Sequence, residues 1–361
     1  MKNKILSIDA RMLFSGGVGT YLQNLLKRMP LQELGLKVKI YYRTDKESAW
    51  LKQHQPAAIL KHCPHWIYGI KEQLFWLKNI KGGAFWSPHF NIPFWGPEKR
   101  LVTIHDGAFH LGSGVPPLLH LYGRVVYWFI RQRADAIITV SEFAKKRITT
   151  RAGIAEERIR AINLGVDEEW FAPAKAERPY AFPYFIYVGN IKPHKNLPRL
   201  LKAFEKSGVE QKLVCVGAFK NSKFRDEIAK EEIQRLQGKG RVIFTEEIFG
   251  EPLQNLVKHA DGLLMPSLEE SFGLPLLEAM AAGVPVLASN IESVTDLHEG
   301  KLLLCDPYKI DDIARELREL AELNGEARGK IVREGREHAR QFDWDKTAQA
   351  TFNVMKKTFV K

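Results

Sequence analysis

The sequence is poor in cysteine: its 361 residues include only Cys63, Cys215 and Cys305. Three scattered thiols build no disulfide framework and suit a reducing compartment. No CxxC pair and no Cys/His ligand spacing occurs, which excludes a structural zinc site. Long apolar runs are also missing. No stretch approaches the roughly 18 to 20 apolar residues that span a bilayer. The opening MKNKILSIDARML is interrupted by Asp9 and Arg11 and lacks a small-residue cleavage site, so it reads as a buried first strand rather than a leader. The expectation is a soluble or peripheral protein. No short repeat or low-complexity tract is present. Nucleic-acid recognition motifs are absent, so nucleic acid is not expected as a partner. Gly16, Gly17 and Gly19 form GGVG, short of a full GxGxxG, which disfavours dinucleotide binding.

What the chain does have is an uneven charge. Its net charge is +12, and residues 1–180 carry 27 basic and 15 acidic side chains, while residues 181–361 carry 27 of each. The first part also holds seven of the eight tryptophans: Trp50, Trp66, Trp76, Trp86, Trp95, Trp128 and Trp170. Such a half either meets an anionic membrane surface or acceptor, or is a solvated basic face over core tryptophans. Residues 71–80, KEQLFWLKNI, are basic and amphipathic. They read either as a membrane-surface helix or as a helix packed on a sheet.

Short β-branched runs alternate with longer amphipathic segments throughout. KILSID, KVKIYY, AFWSPHF, RLVTIHD and ADAIITVS are strand candidates in the first half; YFIYVGN, KLVCVGA, RVIFTE, GLLMPS and PVLASN follow in the second. Repeated βα units imply α/β architecture with parallel sheets covered on both faces. Residues 172–179, rich in Pro, Ala and charge, read as the linker. Two doubly wound domains are expected, 1–175 and 180–344.

The densest chemistry lies in residues 266–285. GLLMPS reads as a buried strand, Phe272-Gly273-Leu274 as a turn, Pro275 as a helix start, and LLEAMAA as the helix. A strand–loop–helix of this kind lies at the carboxyl end of a parallel sheet, where α/β proteins bind ligands. Free amides and the helix dipole favour a phosphate there. Glu270 precedes the helix and Glu278 lies within it, so the two can reach different parts of one ligand, a carboxylate being a double acceptor for sugar hydroxyls. Alternatively, Glu270 caps the helix and Glu278 lies on the surface. Asp343-Trp344-Asp345 spells DxD, but it precedes a helical segment for which Asp345 suits a cap, so no metal is expected.

The Glu-x7-Glu pattern within PSLEESFGLPLLEAMAAGVPVLAS resembles the signature of glycosyltransferase family 4, retaining enzymes of the GT-B fold that use nucleotide sugars. SGGVGTYLQNLL is similar to that family's N-terminal glycine loop and first helix, TIHD to its central motif, and ADAIITVSEFAKKRI to the end of its first domain. YVGNIKPHKNLPRLLKAF resembles the opening of its nucleotide domain, and FDWDKTAQATF its final helix. The resemblance implies two Rossmann-like domains facing across a cleft. The first would bind the acceptor, with a helix at about 345–361 packing back on it, and the second the nucleotide sugar.

Carried over residue by residue, the resemblance puts Glu270 at the donor sugar's hydroxyls and Glu278 at the ribose. The backbone of Phe272, Gly273 and Leu274 would meet the phosphates. Lys195 would neutralise the diphosphate as the leaving group gains charge. Many members carry an arginine where this chain has His194 or Asn190, leaving Lys195 as the fixed cation with His194 to assist. Arg199, one turn on, would face solvent. Gly16 and Gly17 would let a backbone approach the donor phosphate, His105 would meet the transferred sugar, and Asp106 would orient His105 or serve the acceptor. The PHKN and TIHD blocks recur in mannosyltransferase-like members, which favours mannose from GDP-mannose over a UDP-sugar. No metal would be required. The implied acceptor is a glycan or lipid-linked molecule of bacterial polysaccharide or lipopolysaccharide assembly, on the cytoplasmic side and peripheral to the membrane. A UDP-sugar transferase, a phosphorylase of the same fold and a silent nucleotide-sugar-binding protein are the alternatives.

Overall fold

The computed structural model describes residues 4–108, 111, 117–189, 192–217 and 227–360, the side chains of 227–232 excepted. The chain divides into two compact units, residues 1–165 with 343–361, and residues 166–342.

In the first unit, seven short apolar runs form one parallel sheet. Its strands are β1 (Ile5–Asp9), β2 (Lys37–Tyr42), β3 (Ile59–His62), β4 (Ala84–Ser87), β5 (Lys99–Ile104), β6 (Ala136–Thr139) and β7 (Ile159–Ala161). They lie in the order β3-β2-β1-β4-β5-β6-β7. Leu6, Ile8, Phe85, Trp86, Val102 and Ile104 are buried, as expected where helices cover both faces of a sheet. The opening segment is indeed a strand. It ends at Asp9, where the chain reaches the carboxyl edge of the sheet.

The second unit repeats the plan with β8 (Tyr184–Val188), β9 (Lys212–Val216), β10 (Val242–Thr245), β11 (Gly262–Met265), β12 (Val286–Ser289) and β13 (Leu303–Cys305). The order is β10-β9-β8-β11-β12-β13, and every pairing is parallel. Both sheets therefore reverse direction of travel between their first and fourth strands, β1/β4 and β8/β11. That reversal opens a crevice at the carboxyl ends of those strands. Between β8 and β9, the helix Leu197–Ser207 buries Leu197, Leu200, Leu201 and Phe204. These positions share one helical face, and each such burial contributes about 2 kcal/mol. The helix thereby fixes the turn that precedes it.

The unit boundary falls at 165/166, ahead of the Pro- and Ala-rich 172–179 segment. Packing explains the difference. Trp170 and Phe171 are buried in the second unit. In the first, Gly165 runs so close to the start of the Trp344–Phe359 helix that a Cβ there would stand 2.1 Å from the Trp344 amide nitrogen. That helix carries Trp344, Thr347, Ala348, Thr351, Phe352, Met355 and Phe359 on its buried side. Its cap is Asp343, which accepts from the Asp345 amide at 2.7 Å. Asp345, expected as the cap, instead accepts from Arg28 Nε at 2.9 Å.

Candidate functional site

In the second unit, the loops after β8 and β11 meet over the switch-point crevice. After β8 the chain makes a single 3-10 turn, Pro193–Lys195, and Asn196 takes a left-handed conformation (φ 58°) before the helix begins. The Asn196 side chain is buried. Its Nδ2 donates to Pro266 O at 2.8 Å and to Pro307 O at 2.7 Å, while its Oδ1 accepts from Arg199 Nη1 at 3.0 Å. One amide thus ties together the loops after β8, β11 and β13. Arg199, expected to face solvent, instead buttresses this amide. The Leu268 amide donates to His194 O at 2.7 Å, and Ser289 Oγ to Ser267 O at 2.5 Å, which fixes the β11 loop from both sides.

Held this way, Lys195 Nζ meets Glu270 Oε1 at 2.6 Å, and both side chains are mostly buried. A lysine and a glutamate 75 positions apart are therefore paired at the crevice. Glu270 does not cap the following helix. Gly273 does, in a left-handed conformation (φ 79°), and a Cβ there would meet Leu276 Cδ1 at 2.9 Å. No side chain caps this helix, Leu274–Ala281, and its first turn carries no acid; Pro275 has no N–H and the Leu276 amide donates to Gly273 O at 2.9 Å, so the Leu274 amide is the one the first turn offers an anion. Phe272 is buried, edge-on to Phe342 at 5.8 Å, and anchors the turn.

Glu278 lies five residues into the helix and is half-buried rather than on the surface. Desolvation, reinforced by the Asp167 charge, pushes its carboxyl up to about 8. Glu278 thus holds a proton near neutrality, a state that hydroxyl donors would reverse. Asn190 lies outside the described residues.

The remaining candidates belong to the first unit. His105 directly follows β5. Its Nε2 is 2.9 Å from Pro88 O, and its ring packs edge-on to Tyr21 at 4.8 Å. Burial drives its pKa down to about 4. The neutral ring therefore donates from Nε2 to the carbonyl and leaves Nδ1 as an acceptor. Asp106 sits 3.5 Å from the Tyr127 hydroxyl. Gly16 and Gly17 are the first two residues of the helix Gly16–Arg28, not of a loop, and a Cβ at either would meet nothing within 4 Å. The crowded glycine is Gly19, where a Cβ would stand 2.8 Å from Leu13 O.

A cluster not anticipated from the sequence lies at the carboxyl end of β1. Arg11 grips Asp9 with two hydrogen bonds, Nε to Oδ1 at 2.8 Å and Nη2 to Oδ2 at 2.6 Å, and also pairs with Glu72. His89 Nε2 is 3.0 Å from Asp9 Oδ2, and Asn91 Nδ2 donates to Glu72 Oε2 at 2.6 Å. All five side chains are buried. Burial alone would push the Asp9 carboxyl up, but Arg11 and then His89 outweigh it and hold it far below the usual carboxylate range. The sequence signal was the pair of charges, Asp9 and Arg11, closing an apolar strand. Nothing local pointed to their partners sixty to eighty residues away.

Among the described residues, no group of three or more His, Cys, Asp or Glu side chains could hold a metal ion, and no helix is long and apolar enough to cross a membrane.

Two families match the chain in succession. Glycosyltransferase Family 4 matches residues 15–170, and Glycosyl transferases group 1 matches residues 168–338. The O-antigen chain mannosyltransferase B of Escherichia coli is 25% identical over 373 residues, covering 94% of this chain and 96% of that protein. The crystal structure of Anabaena Alr3699/HepE in complex with UDP-glucose superposes with a TM-score of 0.78 at 17% identity, covering 98% of this chain and 99% of the other. WaaG, a glycosyltransferase involved in lipopolysaccharide biosynthesis, gives 0.71 at 16% identity, covering 97% and 99%. With two parallel sheets in the same doubly wound order and consecutive family matches from residue 15 to residue 338, the chain belongs to the family 4 type of glycosyltransferases and has the GT-B fold.

Proposed function

We propose that the protein transfers a hexose from a nucleotide sugar to a glycan or lipid-linked acceptor, with retention of anomeric configuration. In this reading the second unit (read from sequence as 180–344) takes the donor and the first (1–175) the acceptor. The observation that carries it is the Lys195–Glu270 pair at the β8/β11 switch point. A cation and a carboxylate held together there match the two needs of a sugar diphosphate: a positive partner for the leaving group, and an acceptor for sugar hydroxyls. In the free protein each neutralises the other. An arriving diphosphate competes for Lys195 and releases Glu270 to the sugar. The amides of Phe272, Gly273 and Leu274 meet the phosphates, with His194 and Asn190 alongside, and Glu278 takes the ribose hydroxyls. In the first unit, Gly16 and Gly17 lend helix amides, neutral His105 accepts a sugar hydroxyl through Nδ1, and Asp106 orients the acceptor.

No strong protein nucleophile is needed in this scheme. The leaving phosphate accepts the proton of the acceptor hydroxyl on the face it departs from, while Lys195 and the helix amides stabilise its charge. No metal takes part.

Mannose from GDP-mannose is the favoured donor, supported by the O-antigen mannosyltransferase relative. The same relative supports a place in bacterial polysaccharide or lipopolysaccharide assembly, peripheral to the cytoplasmic face of the membrane. The UDP-glucose complex of the structural neighbour supports a UDP-sugar as the second reading. A thermal-shift panel of GDP, UDP and ADP decides between them. Native-state binding raises Tm by mass action, so GDP should give the largest rise, and a shift with UDP alone would replace the mannose assignment. No shift with any of the three would remove the donor site.

A further inference from the structure

The buried ion cluster at the end of β1 also holds a loop. Arg11 Nη1 donates to His65 O at 3.0 Å, and Glu72 Oε2 accepts from the Tyr68 amide at 2.9 Å. The chain leaving β3 is thereby fastened twice, once from the end of β1 and once from the helix Ile70–Asn79, which buries Glu72 and Trp76. Tyr68 needs such a hold. Its backbone is left-handed (φ 71°), a conformation that a bulky residue keeps only where its surroundings impose it.

The fastened loop presents two aromatic rings. Trp66 is 71% exposed, with the Arg43 guanidinium 3.6 Å over its ring. Tyr68 is 38% exposed; its ring stacks on Phe90 at 5.1 Å and stands edge-on to Tyr122 at 5.9 Å. Tyr122 donates to Asn91 Oδ1 at 2.7 Å, and Asn91 donates to Glu72, so the rings rest on the same buried network. Phe90 also stacks on Tyr127 at 5.7 Å, whose hydroxyl is 3.5 Å from Asp106. Tyr68, Phe90 and Asp106 follow β3, β4 and β5, so all three lie on the carboxyl side of the sheet, by the β1/β4 switch point. The charges acting on Tyr68 are mostly negative. Burial first, and then the Asp106, Glu72 and Asp9 carboxylates against Arg11, raise its phenol above the ordinary range. Arg11 is itself engaged by Asp9 and Glu72.

We infer that Tyr68 and Trp66 form a stacking platform for an uncharged glycan end: Tyr68 takes the accepting sugar ring, Asp106 its hydroxyls, and Trp66 the next ring along the glycan. An aromatic face covers the C–H face of a pyranose, while phenol and carboxylate groups at its margin bind hydroxyls. An acceptor end bearing a phosphate fits poorly, because the carboxylates around Tyr68 repel it and their one guanidinium is already paired. The inference rests on the reading that gives the first unit the acceptor, and it narrows that acceptor to a neutral saccharide of more than one unit.

The test is saturation-transfer NMR of the full chain, without nucleotide, with mannotriose, maltotriose and a galactotriose, their monosaccharides, and the phosphates of those monosaccharides. At least one neutral triose should bind, more tightly than its monosaccharide, and no sugar phosphate should bind more tightly than its parent sugar. Trp66→Ala should weaken triose binding about tenfold, the scale of one aromatic contact, and leave monosaccharide binding unchanged. Tyr68→Gly, which suits the left-handed backbone, should weaken both about tenfold, whereas Tyr68→Phe keeps the stacking face and should stay within about threefold of wild type. Trp66 is exposed and Tyr68→Phe removes one hydroxyl, so unchanged Tm values verify that these two variants are folded. No binding of any neutral triose overturns the inference, as does tighter binding of a sugar phosphate than of its parent. Triose binding that Trp66→Ala and Tyr68→Gly both leave intact places the acceptor elsewhere and overturns it too. The nucleotide thermal shift is read without sugar, so failure of the donor reading shows separately.

Discussion

Glu278 should act as a proton switch for donor binding. In the free protein its carboxyl titrates at about 8, raised by desolvation and then by Asp167. At pH 7 roughly 0.9 of the molecules therefore carry the proton. Ribose hydroxyls that donate to the carboxylate favour its ionised form and lower this pKa. Binding must then expel close to one proton, about 0.9 per site at pH 7 if the bound value falls to 5 or below. Calorimetric titration with GDP in buffers of differing ionisation enthalpy counts those protons. The Glu278→Gln variant supplies the blank, because it keeps the shape of the neutral acid but cannot ionise, and the nucleotide's own titration cancels in the difference.

The same group sets a sign for stability. Between the ordinary carboxylate range and pH 8 the folded state binds more protons than the unfolded chain, so wild-type stability falls as pH rises, by at most about 1.4 kcal/mol per pH unit. Glu278→Gln removes that slope, and its advantage over wild type should grow toward pH 8 and then level off. Equal proton release by wild type and variant would refute the ribose role. Parallel pH–stability curves would refute the buried neutral acid itself.

Asn196→Ala removes the amide that satisfies two buried carbonyls, so it should cost about 2–4 kcal/mol in urea unfolding and depress kcat by loosening Lys195 against Glu270. A loss below about 0.5 kcal/mol would show that the three loops hold without it. Donor turnover should survive EDTA unchanged, since Lys195 and helix amides supply the positive charge; restoration by magnesium or manganese after an EDTA loss would contradict this. NMR of the first-formed product should show the anomeric configuration of the donor kept. An inverted product would require a general base and would turn attention to Asp106.

The strands were legible because parallel sheets bury both faces, so KILSID, YFIYVGN and GLLMPS stand out as apolar runs between amphipathic segments. The 266–285 segment was legible for a different reason: strand, loop and helix follow one another without interruption, so local order alone sets Phe272, Gly273 and Glu278. Asn196 escaped notice because its work is done through carbonyls 70 and 111 residues away, and an asparagine before a helix reads as an ordinary cap. The Asp9–Arg11–Glu72–His89 cluster was hidden in the same way: the β1/β4 pairing brings His89 to Asp9, and the Ile70–Asn79 helix brings Glu72 to Arg11. The compact units divide at 165/166, ahead of the 172–179 segment, because composition marks exposed chain whereas Trp170 and Phe171 are buried in the second unit.

In the proposed mechanism Glu270 and Lys195 form the reacting end of a donor site. Incubation with GDP-mannose in the absence of acceptor, following nucleotide release, tests it most directly. Wild type should release nucleotide slowly. Glu270→Gln should bind GDP at least as tightly as wild type, since its amide competes less for Lys195, yet lose turnover by at least tenfold, because the Glu270 contact is made to the sugar as charge develops. Release at the wild-type rate by Glu270→Gln, or loss of GDP affinity without loss of turnover, would contradict the account.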